Sequence, residues 1–117
     1  MQIFRFDREE KAISSYGSTG LHATRIAAST GDTHLTCLAI APGGMIGTHP
    51  ATVAQLFLVV SGEAWVAGPD GQRVPVPAGW GARWEAGELH TSGSAAGCTA
   101  LAVEGASLAL FEPQPPS

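Results

Sequence analysis

Histidines are the residues of this chain best suited to chemistry, and two of the four lie in stretches with regular glycine spacing. His49 lies between Gly43 and Gly62, and His90 follows Gly87 in the stretch 79–94. Imidazole titrates near neutral pH, donates and accepts hydrogen bonds, and binds divalent metals. These two stretches are therefore the first place to look for a functional site.

Other catalytic systems have no support in the sequence. Ser61 and Ser92 lie in turns and lack the Gly-x-Ser-x-Gly elbow of a hydrolase, and neither cysteine stands in a recognisable setting beside a histidine. The pair Gly43-Gly44 is not followed by the lysine and helix of a phosphate-binding loop. The sequence therefore predicts no nucleotide cofactor.

Short strands joined by turns must position these residues. The chain has 117 residues with 15 Gly and 8 Pro, and turn-forming residues interrupt it at short intervals. No apolar stripe of helical period persists over three turns. We predict an all-β fold, a closed barrel or sandwich, with strands over residues 2–6, 21–27, 33–40, 52–60, 63–67, 72–76, 81–85, 99–103 and 107–111.

Charge and hydropathy exclude several classes of partner. The net charge of −4 argues against binding to nucleic acid. The first residues do not form an export signal and no stretch has the length of a bilayer span, so we expect a cytoplasmic protein without a membrane partner. The length fits one domain, 1–117, with a frayed proline-rich tail at 113–117. Cys37 and Cys98 are expected to be buried apolar residues.

The two glycine-rich stretches resemble the two sequence motifs of the cupin superfamily. The first family motif reads G-x5-H-x-H-x3-E-x6-G, and the stretch 43–62 fits its register without a gap at Gly43, His49, Gln55 and Gly62. The second motif reads G-x5-P-x-G-x2-H-x3-N, and the stretch 79–94 fits at Gly79, Gly87 and His90. The resemblance implies a small single-domain cupin with a jelly-roll β-barrel.

The resemblance also implies a metal site that departs from the family pattern. Cupins typically hold a metal with the two histidines and the glutamate of the first motif and the histidine of the second. Here Ala51 replaces the second histidine and Gln55 replaces the glutamate. The implied ligand set is His49, Gln55 and His90, facing the barrel interior. It would hold one divalent ion, Mn, Fe, Ni or Zn, with positions open for water or substrate.

The cupin resemblance leaves two function classes open, because the same fold hosts dioxygenases, isomerases, cyclases, lyases and binding proteins. In one hypothesis, the barrel binds a small organic molecule and the metal acts as a Lewis acid. In the alternative, the chain is a metal-free, non-enzymatic binding or sensing module. The same three side chains would then hydrogen-bond a polar group of the ligand.

Aromatic residues near the two motifs are the candidate ligand contacts. Phe57 and Trp84 are predicted to line the pocket, although packing of the barrel explains such residues equally well. His34 lies on a predicted strand outside both motifs, and strand alternation does not fix whether it reaches the site. Sheet edges and aromatic side chains together predict a homodimer.

Overall fold

The structure, a computed structural model, describes residues 1–112, so the tail predicted at 113–117 lies outside the described residues. Within them the chain forms no α-helix, only a 3-10 helix at Ser15–Gly17, and the all-β prediction is confirmed. The twelve strands are β1 (Gln2–Arg5), β2 (Lys11–Ile13), β3 (Leu21–Ala23), β4 (Ala27–Ser29), β5 (Thr33–Ile40), β6 (Met45–Pro50), β7 (Gln55–Ala67), β8 (Arg73–Pro77), β9 (Trp80–Trp84), β10 (Leu89–Gly93), β11 (Cys98–Gly105) and β12 (Leu108–Leu110).

Strand β7 belongs to both halves of the main sheet, in which all pairs are antiparallel. Its first half pairs with β9 and β11, which in turn pair with β1 and β5. Its second half pairs with β8 and β10, and β10 pairs with β6. Two further pairs, β2 with β3 and β4 with β12, form small sheets of their own.

A bulge in β7 lets one strand serve both halves. Ser61 and Val59 face consecutive residues of β11, which leaves Val60 without a partner on that strand. The extra residue reverses the alternation of side chains. Phe57 before it and Val66 after it therefore both reach the same buried cluster, between the two halves of the sheet.

Several segments differ from the sequence-based prediction. The expected turn at Ser61-Gly62 is part of the continuous strand β7, because the bulge takes up the irregular backbone. The predicted strand 21–27 is two short strands, β3 and β4. Strands β2, β6 and β10 were not among the predicted strands. For β6 and β10 the reason is that glycines and prolines in the two motifs favour turns.

A second apolar cluster lies on the opposite face of the sheet formed by β1, β7 and β9. It contains Phe4, Leu56 and Leu58, and Leu108 from β12 packs against them. The short strands near the chain ends therefore cover the outer face of this sheet. Within residues 1–112, no helix is long and apolar enough to cross a membrane.

Candidate functional site

The inner face of the sheet presents side chains in rows, because directly opposed residues of neighbouring strands project on the same side. One row crosses β9, β7, β11 and β5 through Trp84, Gln55, Glu104 and His34. The adjacent row includes Phe57. Together with the facing strands β6 and β10, these rows enclose a cavity of about 190 Å3 lined by Thr36, Leu38, Ile46, His49, Gln55, Phe57, Trp84, His90, Ser92, Ala102 and Glu104.

Two imidazoles form the polar side of this cavity. His49 on β6 and His90 on β10 are directly opposed, and their ring centroids lie 4.3 Å apart. The Nδ1 atom of His49 lies 2.7 Å from the carbonyl oxygen of Gly47, and that of His90 lies 3.1 Å from the carbonyl oxygen of Glu88. A carbonyl oxygen only accepts, so in the neutral form of each ring the proton is on Nδ1 and the lone pair is on Nε2.

His90 is held neutral by its surroundings. Its side chain is 2 % exposed and its ring stacks on Trp84 at a centroid distance of 4.2 Å. Burial lowers the pKa of His90, and the neighbouring His49 lowers it further, against the hydrogen bond to Glu88 that raises it. The neutral imidazole is the form that binds a metal or accepts a hydrogen bond from a ligand.

Acidification is expected to destabilise the protein through His90. Because its pKa is lower in the folded state than the ordinary value of 6.5, the unfolded chain takes up the proton first as the pH falls. The free energy of unfolding should therefore decrease below about pH 6.5 and level off once the pH passes the folded pKa. Urea unfolding of chelator-treated protein at a series of pH values measures this. The His90→Gln variant should show a shallower dependence, and equal slopes for both proteins would contradict the assignment.

All five residues predicted from the sequence border the same cavity. His49, Gln55 and His90 contribute the polar groups, and Phe57 and Trp84 form an aromatic wall with ring centroids 6.0 Å apart. His34 projects from the same face of the sheet but is exposed and does not border the cavity. Ala51 is buried in the main apolar cluster, so the position of the family's second histidine is part of the core.

Glu104 is a cavity residue that the sequence analysis missed. It lies at the end of β11, directly opposite Gln55, and it is half-buried. The predicted strand ended at residue 103, before Glu104. The signal that could have found it is the alternation of side chains along a strand. Ala102 and Ala100, two and four residues before Glu104, are buried on the same face.

The donor set suits a divalent ion only in part. The two Nε2 lone pairs are the usual imidazole donors, and the Gln55 amide oxygen borders the same cavity. Among residues 1–112, no three side chains of His, Cys, Asp or Glu come together in a way that could hold a metal ion. Any ion would therefore depend on the two imidazoles with a neutral amide as third donor.

Solved structures with a similar architecture carry a cupin or double-stranded beta-helix description. An uncharacterized conserved protein with a double-stranded beta-helix domain from Klebsiella pneumoniae aligns over 96 % of this chain and 98 % of its own, at a TM-score of 0.58 and 24 % identity. A cupin superfamily protein from Desulfitobacterium hafniense aligns over 89 % and 97 %, at a TM-score of 0.58 and 12 % identity. This chain has the cupin fold.

A third cupin-fold structure agrees with this assignment. The cupin-2 domain containing protein from Shewanella frigidimarina aligns over 67 % of this chain and 74 % of its own, at a TM-score of 0.57 and 19 % identity. No protein-family model matches the chain, and no curated protein matches it. The prediction of a cupin-type jelly-roll barrel, made from the two motifs, is thus confirmed at the level of the fold.

Proposed function

We propose that this cupin barrel binds a small organic molecule in its interior cavity, against the paired imidazoles of His49 and His90. The observation that carries the proposal is the fixed tautomer of both rings. Because backbone carbonyls accept from both Nδ1 atoms, the two neutral rings present Nε2 acceptors in one cavity that Phe57 and Trp84 also line. A concave apolar site with a few convergent polar groups is the usual form of a small-molecule site.

The size of the cavity limits the ligand. The cavity volume is about 190 Å3. This is below the ~300–1,000 Å3 of pockets for drug-sized ligands. The proposed ligand is therefore a small molecule of few non-hydrogen atoms, with its apolar part against Phe57 and Trp84 and its polar group against the imidazoles.

In the first form of this proposal, one divalent ion, Mn, Fe, Ni or Zn, is held by His49, His90 and the Gln55 amide oxygen. When bound, the ion would polarise a ligand oxygen as a Lewis acid. The carbonyls of Gly47 and Glu88 orient the two imidazoles and set the tautomer in which the neutral ring has its lone pair on Nε2. These two hydrogen bonds support the metal-assisted form, because they orient the rings that would bind the ion.

The second form is a metal-free binding or sensing module. The observation that favours it is the missing third charged or imidazole donor among the described residues. His49, Gln55 and His90 would then bind the polar group of the ligand through hydrogen bonds alone. The two forms place the ligand in the same cavity and differ in what anchors it.

Elemental analysis after incubation with Mn, Fe, Ni and Zn and removal of loose metal separates the two forms. In the metal-assisted form, the wild-type protein retains close to one ion per chain and the His49→Ala variant retains almost none. His34→Ala, which removes an exposed histidine outside the cavity, is the matched control and should retain the ion.

The absence of metal in all three proteins would contradict the metal-assisted form and leave the metal-free one. A screen of small polar molecules by calorimetry then tests the remaining proposal. Ligands that bind the wild-type protein and not the His49→Ala variant would support a binding module. Failure of every ligand to distinguish the two proteins would contradict the proposed function.

A further inference from the structure

Glu104 gives the cavity a charge that neither cupin motif supplies. Among the residues that line the cavity, it is the one with a carboxyl side chain, and no lysine or arginine accompanies it. Its carboxylate makes no hydrogen bond or ion pair with any of residues 1–112 in the structure. This unpaired carboxylate can accept charge-assisted hydrogen bonds from a positively charged ligand group.

Several other polar groups of the cavity can accept hydrogen bonds, although the hydroxyls of Thr36 and Ser92 can also donate. The Nε2 atoms of His49 and His90 are acceptors, because each Nδ1 carries the ring proton. The Gln55 amide oxygen is a further acceptor in the strand position opposite Glu104. An anionic ligand would be repelled by the carboxylate of Glu104, whereas an ammonium group has three N–H donors to share among the acceptors.

The apolar side of the cavity is compatible with an organic cation. Phe57 and Trp84 border the same space, and aromatic rings attract cations through their electron-rich faces. The charge of Glu104 also acts on His90, where it opposes the lowering of the pKa by burial, so the carboxylate and the imidazole share one electrostatic environment. The cavity therefore combines one negative charge, several acceptors and an aromatic wall.

We propose that the cavity selects small organic molecules that carry an ammonium group, with Glu104 as the residue that recognises the charge. This inference rests on the proposed function, since it names the ligand class of the same cavity. In this inference Glu104 selects ligands with a positive charge, and the two imidazoles accept hydrogen bonds from the ammonium group. A divalent ion would use the same Nε2 atoms, so the inference applies to the metal-free protein.

Calorimetry on chelator-treated protein at neutral pH tests the inference with three probes of similar shape. Benzylamine carries the ammonium, benzyl alcohol is its neutral counterpart, and benzoate is an anion. We expect benzylamine to bind about tenfold to a hundredfold more tightly than benzyl alcohol, as for hydrogen bonds between charged groups, and benzoate to bind most weakly. The chelator removes metal ions as a source of the positive charge.

Two variants that each remove one carboxylate test whether the preference for benzylamine depends on Glu104. Glu104→Gln should abolish the preference for benzylamine and leave the affinity for benzyl alcohol unchanged. Glu63→Gln removes an exposed carboxylate on the outer face of β7 and should behave as the wild-type protein. Equal binding of benzylamine and benzyl alcohol, or an unchanged preference in Glu104→Gln, would overturn the inference while the cavity proposal stands. Failure of all three probes to bind the wild-type protein would overturn both.

Discussion

Replacement of Trp84 by alanine is expected to lower the free energy of unfolding by about 3–5 kcal/mol. The side chain is 1 % exposed, stacks on His90 and belongs to the main apolar cluster. Its removal would enlarge the cavity and take away one wall of the candidate site. For a protein of ordinary stability, ~5–15 kcal/mol, the loss is a large part of the total.

The conservative change Trp84→Phe is the control for this prediction. The indole Nε1 of Trp84 is buried and has no hydrogen-bond partner within residues 1–112. Because phenylalanine removes this unpaired donor and keeps an aromatic ring, we expect a loss of less than ~2 kcal/mol. Urea unfolding followed by far-ultraviolet circular dichroism measures both variants. A loss below ~1 kcal/mol in Trp84→Ala would show that the wall is loosely packed.

Replacement of Gly62 by alanine is expected to lower the free energy of unfolding by about 2–5 kcal/mol. Gly62 has φ of +76°, in the left-handed region that disfavours a side chain. A Cβ atom there would lie 2.3 Å from the carbonyl oxygen of Gly97 and 2.9 Å from the Cα of Cys98. Both contacts are with backbone, so neither can be relieved by a rotation of a side chain.

The Gly71→Ala variant separates the cost of the left-handed backbone conformation from the cost of a steric clash of the Cβ atom. Gly71 has a similar φ of +73°, but a Cβ atom there would meet nothing within 4 Å. We therefore expect only the cost of the backbone conformation, about 1–2 kcal/mol, in this variant. Chemical denaturation of both proteins under the same conditions gives the comparison. Equal losses would mean that the strand β11 moves away from residue 62 at little cost.

Local spacing in the sequence was sufficient to predict the residues of the candidate site that belong to the two motifs. His49, Gln55 and His90 were identified because the two motifs keep their register without gaps, and the structure brings all three to one cavity. Glu104 was missed because its place beside Gln55 depends on the pairing of β11 with β7, residues far apart in the chain. Local alternation could place Glu104 on the inner face of β11, but it does not show that Gln55 lies opposite.

The two cysteines show a related limit, because a local sequence pattern does not tell which face of a strand is covered by another element. Cys98 is buried as predicted, whereas Cys37 is exposed, so that prediction was wrong. Cys37 lies on β5, which pairs with β11 alone among the described strands and is therefore at the edge of its sheet. Hydrophobic composition identifies β5 as a strand over 33–40, but it does not tell which face a neighbouring element covers.

The sharing of β7 between both halves of the sheet also bears on how the chain folds. Neither half can be completed before the central strand has found partners on both of its segments. Those partners include β11 near one chain end and β9, which also pairs with β1 near the other. Folding dominated by such distant pairings is slow, on the order of milliseconds to seconds, because loop closure must precede the contacts that stabilise it. The two halves should accordingly unfold together in one cooperative transition.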